Sequence, residues 1–357
     1  MSHFKDGKIP PGYTDYIGRK AGFLIFLFFG TLLFLLVAVS AGPVRIPPGE
    51  TLRALAGYEA GTRTASIIWN IRLPQALAAL LAGAGLAAAG ASMQSILRNP
   101  LGSPFTLGMS NAAAFGAAFA VMIMGTGAMA SANAGAVKLG NYFITAFSAF
   151  VCCLLAAFAI IGVSRIRRSS PEVMVLTGVA IGSLFTAATM FLQYFADDVQ
   201  LAAMVFWAFG DLARASWREI GFLAVIVLLC CGYFTLNRWN YNAIDSGDET
   251  AQGLGVNVER TRLGGMMAAS LLTAAVIAVL GVIGFVGLVC PHIVRRVIGD
   301  DHRFLLPGSC LAGAWLLLVS DTAARLVLSP HSLPVSILTA FMGAPVFIFL
   351  IIRGYRR

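Results

Sequence analysis

Asp321 and Arg325 lie four residues apart in an otherwise apolar stretch, so on a helix they stand one turn apart and can pair. Ionisable groups inside a lipid-spanning segment mark proton or ion pathways. Such groups are scarce here. Glu172 sits at the start of another apolar run, and Gln94, Asn111 and Gln193 are polar but uncharged. No relay of buried carboxylates can be assembled from them. That argues against an ion-coupled secondary transporter and places the energy source on another molecule. There is no GxxxxGK[ST] loop for nucleotide phosphates and no HExxH zinc motif. His3, His292, His302 and His331 lack ligand spacing, and no Ser, His and Asp trio suggests itself. Cys152, Cys153, Cys230, Cys231, Cys290 and Cys310 fall in or beside apolar runs, where Cys serves as a small packing residue. No metal site, cofactor or catalytic constellation is expected, so the chain is not read as an enzyme.

The elements that hold these residues are helices in a bilayer. Of 357 residues, 58% are hydrophobic and 11% charged, against about 25% charged in soluble domains. The deficit leaves too little polar surface to face water. The expected fold class is all-α, a polytopic membrane protein. A span needs about 20 apolar residues, and ten candidates are found: 21–42, 68–97, 104–125, 140–163, 172–195, 219–237, 261–282, 284–298, 304–326 and 334–352. The 284–298 segment is short and carries Pro291, so it is expected to be broken or shifted. The 68–97 segment is long enough to tilt or overrun the lipid. Residues 1–20 are polar and precede a full-length span, which reads as a retained anchor and not a cleaved signal.

Orientation follows from Lys and Arg. With the N-terminus inside, 17 of the 25 basic residues fall on cytosolic segments, which places both termini in the cytosol. The division is then 1–20 cytosolic, 21–352 a single membrane domain with a loop at 238–260 on the cytosolic side, and 353–357 a cytosolic tail. The net charge of +9 is spread in short clusters between apolar runs, a pattern of membrane topology and not of nucleic-acid binding. Small residues crowd Ala82–Gly90, and Gly178 and Gly182 have GxxxG spacing; both favour close helix packing. Short helices are expected at 46–55 and 199–209 on the outer side.

The loop 238–260 is the longest patterned one on the cytosolic side. Ser246-Gly-Asp-Glu249 has the spacing of a capping box, and Asp248 and Glu249 suit a helix N-terminus. Ala251 and Leu254 supply an apolar edge, while Gly253 and Gly255 can end the helix. A short helix over 247–254 is expected, serving either as a plain connector or as a docking helix for a cytosolic motor.

Four blocks resemble the permease subunits of the FecCD type, the membrane components of ATP-binding-cassette (ABC) importers for iron chelates, haem and cobalamin. They are Arg72-Leu-Pro-Gln75 through Gln94, Arg98-Asn-Pro-Leu-Gly-Ser-Pro104 and Leu107-Gly-Met-Ser110; Asp248 to Val256; Gly284 to Arg295 with Asp301-His-Arg303; and Asp321-Thr-Ala-Ala-Arg325 with Leu333-Pro-Val and Gly343-Ala-Pro-Val-Phe347. The resemblance spans residues 45 to 352. It implies the type II ABC importer fold in the cell inner membrane, with two permease copies meeting along a translocation path. It further implies two cytosolic ATP-binding subunits and an external substrate-binding protein. By the same resemblance, Asp248, Glu249, Ala251, Gly253, Leu254 and Gly255 form the coupling helix. Arg72 and Arg325 meet carboxylates of the binding protein, with Gln75 standing where the family usually has Arg. Ser332 and Ser336 also depart from the family's Glu and Gly. Thr186, Met190 and Gln193 are candidates to line the path. Ferric siderophore is the first expectation for the cargo; cobalamin, haem and oxyanions such as molybdate stay open.

Overall fold

The computed structural model describes residues 11–58, 61–129, 137–139, 141–166, 170–329 and 332–354. Helix dominates because an apolar segment in lipid must satisfy its own backbone N–H and C=O groups. Helix α1 (Pro11–Ser40) leads to the short α2 (Pro48–Leu55). Helix α3 (Arg63–Ile67) passes through one π-helical turn, Ile68–Arg72, into α4 (Leu73–Ile96). Pro74 has no N–H to give to the preceding turn, and the wider turn forms just ahead of it. Together they make one 34-residue helix, Arg63–Ile96, the overlong span expected from the sequence.

Next come α5 (Met109–Met122), a two-stranded antiparallel ribbon of β1 (Gly127–Met129) and β2 (Val137–Leu139), α6 (Tyr142–Ile166), α7 (Pro171–Phe195) and α8 (Asp198–Ala208). The chain continues through α9 (Trp217–Leu236), α10 (Arg238–Asp245), α11 (Asp248–Gly253) and α12 (Val258–Leu280). It closes with α13 (Val286–Ile298), α14 (His302–Val327) and α15 (Val335–Gly354). Seven described helices are long and apolar enough to cross a membrane. Each of the ten expected segments appears as helix. The three expected short helices appear as α2, α8 and α11.

Two segments depart from full length. Helix α13 has 13 residues with Pro291 inside it, a rise of about 20 Å against a hydrocarbon core of about 30 Å. Ahead of it the chain turns at Gly281 (φ 79°) and at Phe285, which holds φ 67° although it carries a side chain. Helix α5 starts only at Met109, so Pro104–Gly108, expected within a span, is irregular. At the N-terminus Tyr13–Lys20 already belong to α1, ahead of the expected span, and the buried Lys20 ammonium sits 4.1 Å from the centre of the Tyr16 ring. Residues 1–10 and 355–357 of the expected terminal segments lie outside the described residues.

Helix α4 is buried along nearly its whole length and forms the centre of the bundle. Its most extensive partner is α14. The small-residue run explains why. Gly83 of α4 lies against the backbone of Gly313 in α14, and Gly90 against the backbone of Gly287 in α13, so that a methyl group at Gly83 or Gly90 would collide with a carbonyl oxygen. Helices α1 and α7 keep most of their surface exposed. The two ends of the bundle are named here for the short helices on them: the α2 face, reached by the C-termini of α1 and α14, and the α11 face, reached by the C-terminus of α4 and the N-terminus of α14.

Candidate functional site

On the α11 face, α10 and α11 form a small unit. Ala243, Ile244 and Ala251 make an apolar cluster with Val258 at the start of α12. Gly247 precedes α11 with φ 114°, and Gly255 turns the chain after it with φ 82°. The expected capping box does not form. The Ser246 hydroxyl donates to the Asn242 carbonyl oxygen instead (3.3 Å), and no side chain caps α11. Asp248 is engaged elsewhere: both of its carboxylate oxygens accept from one terminal nitrogen of Arg262 on α12, at 3.0 and 3.1 Å. The same buried Arg262 donates from Nε to the Ile96 carbonyl oxygen at the end of α4 (2.9 Å). One guanidinium therefore ties α11, α12 and α4 together. Ala251 faces inward, Glu249 and Gly253 are exposed, and Leu254 points away from the bundle with 70% of its surface exposed. The expected apolar edge is split between an anchor and a free side chain.

On the α2 face the structure brings Arg72, Gln75 and Arg325 together, but not as free charges. Arg72 is 4% exposed and Arg325 8%. Arg72 donates to the carbonyl oxygens of Val39 (3.0 Å), Ser40 (2.7 Å) and Val44. Arg325 donates to those of Ala38 (3.1 Å) and Ala41 (3.0 Å). A helix ends with four carbonyls that have no partner within it. Two guanidinium groups supply the donors that the end of α1 and the turn after it lack. Arg325 also pairs with Asp321 (Nε–Oδ2 3.1 Å), whose other oxygen accepts from Gln75 (2.8 Å). The i, i+4 pair expected from the sequence is present. Arg72 and Arg325, expected to meet the binding protein, are both drawn inward in this chain by the unpaired carbonyls of α1.

Between these faces a groove of about 460 Å³ runs along α7. One wall is the irregular stretch before α5, with Phe105, Thr106 and Gly108, continued by Ser110 and Asn111. The other is the α7 stripe of Gly178, Gly182, Thr186 and Met190. Asn111 donates to the Gly182 carbonyl oxygen (3.3 Å) across it. Gly108 takes a left-handed conformation and packs on Gly178 and Gly182, so the GxxxG pair lets an irregular backbone approach α7. Irregular backbone at membrane depth is tolerated where it is buried in protein or lines a water-filled cavity. Of the three path candidates, Thr186 and Met190 line the groove and Gln193 lies outside its lining. Among the described residues no cluster of His, Cys, Asp and Glu could hold a metal ion.

Residues 30–353 match the model of a transport family described as FecCD. The chain belongs to the FecCD transport family. A provisionally named ABC transporter permease of Methanocaldococcus jannaschii is 49% identical over 98% of this chain and 99% of that protein. The haemin transport system permease of Yersinia pestis is 36% identical over 92% of this chain and 96% of that protein. A solved chain described as an inward-facing conformation of a provisionally assigned metal-chelate type ABC transporter superposes with a TM-score of 0.79. It is 29% identical and covers 92% of this chain and 98% of its own length. The fold is that of a type II ABC importer permease.

For this FecCD permease, sequence reasoning missed Arg262, Ser95, Asp245 and Asn242. Ser95 and Asp245 meet His302, and Asn242 meets Asp301. The DHR triplet at 301–303 was visible, but its partners lie 57 or more residues away in sequence.

Proposed function

We propose that this chain is the membrane-spanning subunit of an ABC importer for metal chelates, haem or cobalamin, with a ferric siderophore as the first candidate cargo. The carrying observation is α11: a helix anchored to two long helices through Arg262 that still leaves Leu254 uncovered. That is the build of a docking element. Two cytosolic ATP-binding subunits engage it, one on each copy of a permease homodimer. ATP closes them, α11 carries the motion, and the bundle alternates between states open to either side. ATP hydrolysis belongs to those partners and not to this chain. The α11 face is cytosolic and both termini lie on that side of the inner membrane, a reading supported by the distribution of Lys and Arg.

The groove beside α7 is one half of the translocation path, completed by α7 of the second copy. The exposed apolar side chains of α7, Leu176, Val179, Leu184, Met190 and Phe191 among them, support that contact. An external binding protein docks on the α2 face. Arg72 and Arg325 shape that surface by fixing the α1 end, and Gln75 by holding Asp321. An ion-coupled carrier gains no support here: Asp321, the buried carboxylate among the described residues, is held by Arg325 and Gln75. Photo-crosslinking from position 254 tests the assignment. Capture of the ATP-binding subunit in native membranes is expected. Absence of that adduct, with crosslinks only to lipid, refutes the docking role.

A further inference from the structure

His302 is fully buried at the start of α14, and nothing in the transport cycle proposed above uses it. Its Nε2 lies 2.7 Å from Ser95 Oγ near the end of α4 and 3.2 Å from Asp245 Oδ2 at the end of α10. The Ser95 hydroxyl donates to the same Asp245 oxygen (3.0 Å). One consistent set of protons satisfies all three contacts: Nε2–H is shared by Ser95 Oγ and Asp245, and the Ser95 proton goes to Asp245. One turn earlier on α10, Asn242 accepts the backbone N–H of His302 (2.9 Å) and donates to Asp301 Oδ1 (3.0 Å). The last turn of α10 is therefore pinned to the ends of two long helices, α4 and α14.

The far ends of the same two helices are pinned as well. Gln75 of α4 and Arg325 of α14 both meet Asp321, and Arg72 and Arg325 hold the end of α1. From Gln75 to Ser95 and from His302 to Asp321 each helix rises about 30 Å. Between the pins, Gly83 and Gly313 touch backbone to backbone, leaving no layer of side chains to yield. The pair is a stiff strut joining the two faces. Helix α11 starts at Asp248, with only Ser246 and Gly247 between it and the end of α10.

We infer that His302 is a positioning residue, latching the α10–α11 unit to the α4–α14 strut so that movement at either face is delivered to the other. The inference rests on the reading of α11 as the ATPase docking helix. It assigns the transmission step to named side chains beyond α11 itself.

The test reconstitutes the full complex in nanodiscs and measures ATP hydrolysis with and without the external binding protein. In wild type the binding protein stimulates hydrolysis. In His302→Ala and Ser95→Ala the complex assembles and basal hydrolysis is kept, while stimulation falls about fivefold or more, the scale of an allosteric coupling. His302→Gln, whose side-chain amide can donate to the same two oxygens, retains most of the stimulation, and His302→Leu, which fills the space without a donor, does not; equal stimulation in the two reveals a purely packing role. Wild-type stimulation in both alanine variants overturns the inference, and if His302→Ala fails to assemble, Ser95→Ala alone decides. A wild-type complex that assembles but shows no stimulation overturns the importer reading, and the latch with it.

Discussion

Removing Arg325 should be far costlier than removing Arg325 and Asp321 together would suggest. In Arg325→Ala, Asp321 keeps only the Gln75 amide while buried, and Ala38 and Ala41 lose their donors. Leaving one partner of a buried ion pair alone costs about 3–5 kcal/mol. Asp321→Ala strands the Arg325 cation but leaves it two carbonyl acceptors, so its cost sits near the low end, about 3 kcal/mol. In the double variant both charges are gone. What remains is two carbonyls without donors and the buried Gln75 amide without its acceptor, about 1 kcal/mol each. The single effects sum to about 7 kcal/mol against about 3 for the pair, a coupling of several kcal/mol. Reversible unfolding in mixed detergent micelles, followed by far-UV circular dichroism, measures each corner of the cycle. Single effects that add within about 0.5 kcal/mol would refute the reasoning, because independent sites behave that way. Equilibrium binding of the external binding protein to folded Arg325→Ala supplies the second check. Its dependence on salt should match wild type, since a buried guanidinium cannot serve as a screened surface charge.

Leu254→Asp should leave the bundle folded and abolish co-purification of the ATP-binding subunit, because an exposed Leu buried in a partner contributes about 1.5–3 kcal/mol; unchanged co-purification contradicts the docking role. Asp248→Ala removes the carboxylate from Arg262, a charged contact worth about 2 kcal/mol. Amide exchange across 251–256 should quicken about thirtyfold, whereas equal protection means that α11 is held by its apolar cluster alone. Gly90→Val places side-chain atoms where the Gly287 carbonyl oxygen lies and should give no monodisperse protein in detergent; a well-behaved variant would show that α4 and α13 can separate. The purified chain without partners should hydrolyse no ATP in a phosphate-release assay, and hydrolysis that survives removal of trace ATPases contradicts the division of labour.

Much of the architecture was legible because lipid leaves few choices. An apolar run of sufficient length must be helical, and the shortness of α13 was legible in the length of segment 284–298, although the helix runs unbroken through Pro291. Long-range polar contacts were not legible. Ser246 and Glu249 have capping spacing, yet Asp248 is drawn to Arg262, 14 residues on, and Gly247 takes the cap position. Arg72 and Arg325 read as outer charges because the need they meet, the carbonyls at the end of α1, is 28 to 33 residues away from Arg72 and more than 280 from Arg325. The late start of α5 was hidden because Pro104–Gly108 is apolar enough to pass for helix. Only the α7 glycines show what that stretch packs on. In the proposed path, Thr106, Asn111, Thr186 and Met190 offer polar and apolar contacts without a charge.

Uptake is the most direct test of the central claim. Proteoliposomes holding this chain, its ATP-binding subunit and its external binding protein would be offered labelled ferric siderophore, haemin and cobalamin in parallel, with and without ATP. Accumulation of one of them against its gradient, only with ATP and only with the binding protein, is predicted. Accumulation driven by a proton or sodium gradient without ATP would contradict it.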